Sequence, residues 1–359
     1  MKIGFLVNDI SNVGGVERVV ATLSDYFEKE YNYSVEIISV YKSKRNRLSF
    51  DFNDNVKITY LNYDESWNGF IHDFKYQYKI FSKILTNIDV DVLFTMYTSV
   101  NVIVGLLKNK LNYKVIPCQH GQYYYDSKGW NILKRIIYRK LDILVSLTER
   151  DKEIYEKFIK DVRVIPNSVP FKREYLYDKY SKKIVSIGRL SEEKSISYLI
   201  DGFNLICNKN PQWKLEIVGE GAEKEMLQEK VKEYGIQSQV IFTPFTLDVK
   251  SKYKEAGFTV LTSQSEALPM MLIESKCLGI PSISFDIRTG PREIIKDKED
   301  GYLIEKNSIN QLAKYMNSLM NNNRLREEMS KKAFDNSYKF DVHYVCEMWN
   351  ELINEIISR

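Results

Sequence analysis

The sequence predicts an α/β protein made of two doubly wound domains, each a mostly parallel sheet flanked by helices. Short β-rich runs alternate with helical patterns along nearly the whole chain. The alternation breaks once near the middle and then restarts. A length of 359 residues also suits two domains better than one.

In the first half the strand-like runs are KIGFLV, SVEIISVY, VKITYL, DVLFTM, YKVIPC, DILVSL and VRVI. Between them lie stretches such as VERVVATLSDYFEKE, where Val16, Val19, Val20, Leu23 and Phe27 recur at helical spacing. Residues 166–183, PNSVPFKREYLYDKYSKK, carry two prolines and many polar groups without a period, and read as a linker. Beyond it come KIVSIG, WKLEIVG, VIFTPF, FTVLTS and PSISFD, each followed by a helical or turn-rich stretch. The closing segment sets Val342, Val345, Trp349, Leu352 and Ile356 on one helical face behind a candidate N-cap, Asp341. Such a helix needs a surface to cover.

Composition narrows the function. With 44% hydrophobic and 28% charged residues the chain can bury a large core. No apolar run approaches the ~18 residues of a membrane span, and MKIGFLVNDIS turns polar too soon for a signal peptide, so a cytosolic location is expected. The four cysteines stand singly, without CxxC or Cys/His clusters, which argues against a disulfide framework or a zinc site. The net charge of +4 lies wholly in residues 1–170, where 24 Lys+Arg face 20 Asp+Glu. No basic stripe with stacking aromatics suggests nucleic-acid binding, while a weak attraction to an anionic surface is compatible with that excess.

The most informative stretch is SEALPMMLIESKCLGIPSISFD, residues 265–286. It reads as a loop, a helix started by Pro269 and stopped by Gly279, and a strand; FTVLTS, just before it, completes a βαβ unit. Ligands of such sheets bind beyond the carboxyl ends of the strands. The free amides near Met270 and Met271 suit a phosphate, and Glu274, one turn on, suits the two hydroxyls of a ribose. Glu266 would meet another part of the same ligand. Acids near a helix start are also favourable in themselves, and MMLIE equally describes a buried crossover helix.

A second motif supports a ligand site. In KIVSIGRLSEEKSISYLI a strand ends at Gly188, Arg189 follows, and Lys194 precedes a helix. Two cations at a strand end would neutralise a diphosphate. Near the N-terminus, Gly14 and Gly15 follow the first strand without GxGxxG spacing and leave room for a ligand against the backbone.

Together these residues resemble glycosyltransferase family 4. The likeness runs through GGVER, IPNSV, GRLSEEK, VGEG at 218–221, the Glu266-to-Glu274 element and the closing helix, and FDIRTGPREIIKDKEDGYLI is similar to bacterial members that build surface polysaccharides. The resemblance implies the GT-B fold, two Rossmann-like domains facing a central cleft. It assigns residues 1–168 to an acceptor-side domain, 169–340 to the nucleotide-sugar domain, and 341–359 to a helix packing back on the first.

Carried over by resemblance, Arg189 and Lys194 hold the donor diphosphate and Glu274 the ribose. Met270 and Met271 give amides to phosphate, with Ala267 and Leu268 in the same donor loop and Gly15 beside the donor. Glu266 contacts the transferred sugar. His120, after the strand YKVIPC, orients the sugar or shares a proton near neutral pH. Tyr123, Tyr124 and Tyr125 would stack on acceptor sugars or pack on one another. Ala267 and Ser195 stand where the family often has glycine, as do Pro244 and Phe245 near the base.

The expected reaction is sugar transfer with retention of configuration from a nucleotide-sugar, UDP being the expected nucleotide. The expected acceptor is a glycan or a polyprenyl-diphosphate-linked oligosaccharide at the inner membrane face. No cofactor or metal is expected, since no DxD stands at a strand end and Arg189 and Lys194 supply the positive charge. A sugar-nucleotide epimerase or hydrolase of the same architecture, and a silent nucleotide-sugar-binding subunit, are the alternatives. Finally, KGWNILKRIIYRKL, residues 128–141, is basic and amphipathic, which suits either a packed crossover helix or docking to an anionic membrane.

Overall fold

Strand β1 (Lys2–Val7) is buried from its second residue onward, as a central parallel strand covered on both faces must be. The computed structural model describes residues 1–12, 14–41, 48–61 and 70–359, with the backbone alone at 70–75, 77 and 125. After β1 come α1 (Gly15–Tyr31), β2 (Ser34–Ser39), β3 (Lys57–Tyr60), α2 (Phe70–Leu85), β4 (Val92–Thr95) and α3 (Thr98–Leu107). Then follow β5 (Lys114–Gln119), α4 (Lys128–Ile137), β6 (Leu144–Ser146), α5 (Glu149–Tyr155) and β7 (Val162–Val164).

Among the described residues these strands form one sheet in the order β3-β2-β1-β4-β5-β6-β7, with every pairing parallel. The order reverses at β1, between β2 and β4. Helix α1 buries Val19, Val20, Leu23 and Phe27, the stripe expected from its spacing, and ends at Asn32 in the left-handed region, φ 52°. Helix α5 starts at Thr148, whose hydroxyl accepts the Asp151 amide.

The second unit contains β8 (Lys183–Ile187), α6 (Ile196–Asn204), β9 (Lys214–Val218), α7 (Lys224–Glu233), β10 (Val240–Thr243), α8 (Val249–Lys254) and β11 (Phe258–Leu261). It continues with α9 (Met270–Cys277), β12 (Ser282–Asp286), α10 (Pro291–Ile294), β13 (Gly301–Glu305), α11 (Ile309–Asn321) and α12 (Asn323–Asp335). Its sheet runs β10-β9-β8-β11-β12-β13, again wholly parallel among the described residues. The reversal falls at β8. The helices seal a core that includes Leu199, Phe203, Trp213, Phe258 and Leu312.

The last helix, α13 (Val342–Ser358), buries Val345, Trp349, Leu352 and Ile356. Trp349 meets the Phe94 ring edge-on at 5.3 Å, and the Tyr33 hydroxyl donates to Asn350 at 2.6 Å. The chain therefore divides into Met1–Pro170 with His343–Arg359, and Phe171–Val342.

The stretch expected as a linker is instead mostly part of the second unit. Amides of Glu174 and Leu176 donate to the carbonyls of Cys277 and Leu278. Arg173 donates to the Phe334 carbonyl at 2.8 Å. These contacts satisfy its backbone, so polar composition there marks an ordered strap. The four cysteines are free and buried. Among the described residues no helix is long and apolar enough to cross a membrane.

Candidate functional site

At the carboxyl ends of β8 and β11, the reversal point of the second sheet, eight of the expected site residues gather, five on two adjoining loops and three on α9. This is where open α/β sheets bind ligands. The first loop begins at Gly188 and is pinned by residues 218–221. Gly188 donates to the Val218 carbonyl at 3.0 Å and Leu190 to that of Glu220 at 2.9 Å. A methyl group at Gly221 would lie 2.1 Å from the Leu190 carbonyl oxygen, and one at Gly219, where φ is +150°, 1.9 Å from that of Gly188. The VGEG motif thus fixes the backbone that carries Arg189. Arg189 is exposed and has no ion-pair partner among the described residues.

Lys194 and Glu266, expected at different parts of a ligand, form a direct ion pair, both side chains mostly buried. Ser263 donates to the same Glu266 oxygen at 2.7 Å, and Thr262 donates to the Lys194 carbonyl at 3.1 Å. Adjacent strands bring these loops together, and the Gln264 backbone amide donates to the Glu193 carbonyl at 2.8 Å. Ser195, where the family often has glycine, adopts the left-handed conformation, φ 48° and ψ 44°. Its hydroxyl donates to the Glu192 carbonyl at 2.7 Å, which helps a non-glycine residue hold that shape.

The loop from Glu266 to Pro269 leads into α9. Leu268 is buried and Ala267 half-buried. The amides of Met270 and Met271 open the helix and have no acceptor among the described residues, so they are available to an anion. The Met271 side chain turns inward, its sulfur 3.4 Å from the Ile187 amide. Glu274 is only 2% exposed, and one of its oxygens accepts from the Tyr253 hydroxyl at 2.8 Å. At the far end of α9 a buried pair, Lys276 and Asp300, ties the helix to the turn before β13, and Lys276 also donates to the Ile294 carbonyl at 2.6 Å.

Sequence reasoning missed Tyr253, Thr289 and Gly290. Thr289 donates to the Glu266 carbonyl at 2.8 Å. Gly290 has φ +91°, and a methyl group there would sit 2.7 Å from Pro269 Cδ and 2.9 Å from the Ala267 carbonyl oxygen. The RTGPRE segment therefore buttresses the loop before α9, and its TGP triplet was the available signal.

Gly15 and His120 belong to the first unit, at the carboxyl edge of its sheet. Gly15 is exposed in the first turn of α1. His120 follows β5; its Nε2 is out of contact with solvent and has no hydrogen-bond partner among the described residues, and burial lowers the imidazole pKa to about 4. The ring is neutral around pH 7.

The tyrosines divide. Tyr123 is buried against Tyr155 and beneath the Lys134 ammonium, 4.3 Å from the ring centroid, so it is core rather than an acceptor platform. Tyr124 is 47% exposed, and the Tyr125 side chain lies outside the described residues.

Two family profiles match the chain: that described as Glycosyltransferase Family 4 covers residues 13–173, and that described as Glycosyl transferases group 1 covers residues 170–336. The amylovoran biosynthesis glycosyltransferase AmsD of Erwinia amylovora is 28% identical over 98% of this chain and 99% of its own. A Campylobacter jejuni alpha-1,4-N-acetyl-D-galactosaminyltransferase, named for a GalNAc-containing diNAcBac-PP-undecaprenol substrate, is 29% identical over 99% of both chains. Among solved structures, HepE of Anabaena in complex with UDP superimposes with a TM-score of 0.80 at 14% identity, covering 99% of this chain and 100% of that one.

Proposed function

Because the chain belongs to glycosyltransferase family 4 and is a glycosyltransferase of GT-B fold, we propose that it moves a sugar, with retention of configuration, from a UDP-sugar to a lipid-linked glycan acceptor. The product would extend a bacterial cell-surface polysaccharide, and the enzyme would work in the cytoplasm, peripherally at the inner face of the membrane. The relatives from Erwinia and Campylobacter, named for amylovoran synthesis and for an undecaprenol-linked substrate, support the polysaccharide and lipid-carrier parts of this reading. HepE, solved with UDP, supports the choice of nucleotide.

One observation carries the site assignment: Arg189, Lys194, the free amides of Met270 and Met271, and Glu274 converge at the reversal point of one parallel sheet. In the proposed reaction the bond between the anomeric carbon and the diphosphate breaks, its electron pair passes to the diphosphate oxygen, the acceptor hydroxyl oxygen bonds to that carbon, and the hydroxyl proton passes to the departing diphosphate. Arg189, Lys194 and the helix amides would stabilise the charge growing on the diphosphate without a metal. Glu274, oriented by Tyr253, would receive the ribose hydroxyls. Glu266 would direct Lys194 through their ion pair and contact the transferred sugar.

A thermal-shift screen of nucleotide sugars tests the reading, since a ligand selective for the folded state raises the melting temperature. UDP-sugars should stabilise the protein, and Arg189→Ala should lower turnover roughly hundredfold with an unchanged melting temperature. Rapid hydrolysis or isomerisation of the donor without acceptor, or near-native turnover in Arg189→Ala, would overturn it.

A further inference from the structure

The loops after β8 and β11 hold two kinds of positive charge, and they differ in what a ligand must do to reach them. Arg189 is exposed and has no ion-pair partner among the described residues, and the amides of Met270 and Met271 have no acceptor among them. An anion arriving at this edge of the sheet meets these groups without displacing a partner. Lys194 is different. Its side chain is 24% exposed and pairs directly with Glu266, itself 13% exposed, so any other anion must take the ammonium from a carboxylate largely shielded from water.

The backbones that carry the pair are fixed independently of it. The Thr262 hydroxyl donates to the Lys194 carbonyl at 3.1 Å, the Thr289 hydroxyl to the Glu266 carbonyl at 2.8 Å, and the Gln264 amide to the Glu193 carbonyl at 2.8 Å. Opening the pair is therefore a matter of side-chain rotation rather than loop movement.

What opens it depends on what the ligand gives back to Glu266. A bare nucleoside diphosphate brings phosphate oxygens that only accept, and its ribose hydroxyls are those assigned to Glu274. Glu266 would be left beside a second anion without its cation, and the Ser263 hydroxyl, 2.7 Å away, carries no charge to replace it. A sugar on the terminal phosphate changes the exchange. Its hydroxyls donate to Glu266 as the diphosphate takes the ammonium, so both halves of the pair gain a new partner in one step.

We infer that the Lys194 and Glu266 pair is a sugar-dependent latch: Lys194 reaches the diphosphate only when sugar hydroxyls replace it on Glu266. The two residues thereby determine selectivity for a nucleotide sugar over the free nucleoside diphosphate, a difference of affinities set by what each ligand leaves unpaired. The inference rests on the nucleotide-sugar reading of this site and adds to it a means of telling the substrate from the nucleotide that the reaction releases. Free UDP is held without Lys194, whereas the intact donor has the second cation in place when its bond to the sugar breaks.

Calorimetric titration of the whole protein tests it, with UDP, UDP-glucose, UDP-galactose, UDP-N-acetylglucosamine and UDP-N-acetylgalactosamine as probes. The quantity read is the ratio of the best UDP-sugar affinity to the UDP affinity, since general damage to the site lowers both together. Glu266→Gln keeps the side-chain shape but frees Lys194, so UDP should bind roughly tenfold more tightly, the worth of one charged hydrogen bond, and the ratio should fall. Lys194→Gln combined with Glu266→Gln removes both charges: UDP should return to within about twofold of its wild-type affinity, while the UDP-sugar should bind roughly tenfold more weakly than to the wild type. This neutral pair also tests the latch should the single variant fail to fold. UDP affinity unchanged or weakened by Glu266→Gln, or a wild-type ratio in the doubly neutral variant, overturns the latch; with a UDP-sugar still bound by the wild type, either result leaves the nucleotide-sugar reading standing. A folded wild type that binds neither UDP nor any of the four sugars removes that reading and the latch with it.

Discussion

Acidification should destabilise the first unit through His120. Burial holds its folded pKa at about 4, against roughly 6.5 in the unfolded chain. Between those values the unfolded state binds the extra proton, so stability falls as pH drops below about 6.5 and the whole loss is reached below about 4. At about 1.4 kcal/mol per pH unit of separation the full effect is about 3 kcal/mol, of which about 2 kcal/mol falls between pH 7 and pH 5. His120→Gln removes the titrating group and should erase that contribution. Urea denaturation of both proteins at pH 7, 6 and 5 measures it: their stability difference should shift by about 2 kcal/mol across the series. With only three histidines in the chain, the imidazole signal lost in the variant identifies His120 in an NMR titration. A midpoint near 6.5, or identical pH dependence in the two proteins, would refute the reasoning.

Three further outcomes are expected. Gly290→Ala should cost at least about 2 kcal/mol, since it combines a positive φ with contacts to Pro269 and Ala267 shorter than atoms tolerate, and it should weaken donor binding measured by calorimetry. Tyr253→Phe deprives Glu274 of a buried donor, so stability should fall by about 1.5–3 kcal/mol and the donor KM should rise more than kcat falls, a split that steady-state kinetics reads. Lys134→Met breaks a pair between a buried ammonium and Asp126, which should lower stability by about 3 kcal/mol in chemical denaturation, while an exposed-lysine control, Lys128→Met, should change it little.

Much of the architecture was legible in the sequence because parallel strands buried on both faces are apolar throughout and need no neighbour to identify them. KIGFLV, DVLFTM, KIVSIG and FTVLTS all mark strands, and GRLSEEK and SEALPMML fall on the loops that follow two of them. Strand β13 escaped: GYLIE is short, follows the polar DKEDG and pairs along one edge, with β12, so nothing local separates it from a turn. The linker was misjudged for a related reason. Tyr175 and Arg173 lie in a polar stretch, yet Tyr175 packs under Gly279 and Arg173 over the Phe334 ring.

Helix α4 shows most plainly what composition cannot decide. Its residues announce an amphipathic helix, but composition does not say which of them are covered: Lys134 is fully buried and Ile136 is exposed. A lysine enters the core when a carboxylate and two aromatic rings are waiting for it, here Asp126, Tyr123 and Tyr155. Those partners lie 8, 11 and 21 positions away and meet it only through the fold. Local pattern and short, ordered motifs were enough to set the alternation of elements, the two sheets and the residue types in the loops after β8 and β11. Tertiary structure alone decided that Lys194 pairs with Glu266, that Tyr253 orients Glu274, that Gly290 buttresses Ala267 and that His120 stays neutral, because charge, burial and steric fit at each depend on atoms brought together from distant parts of the chain.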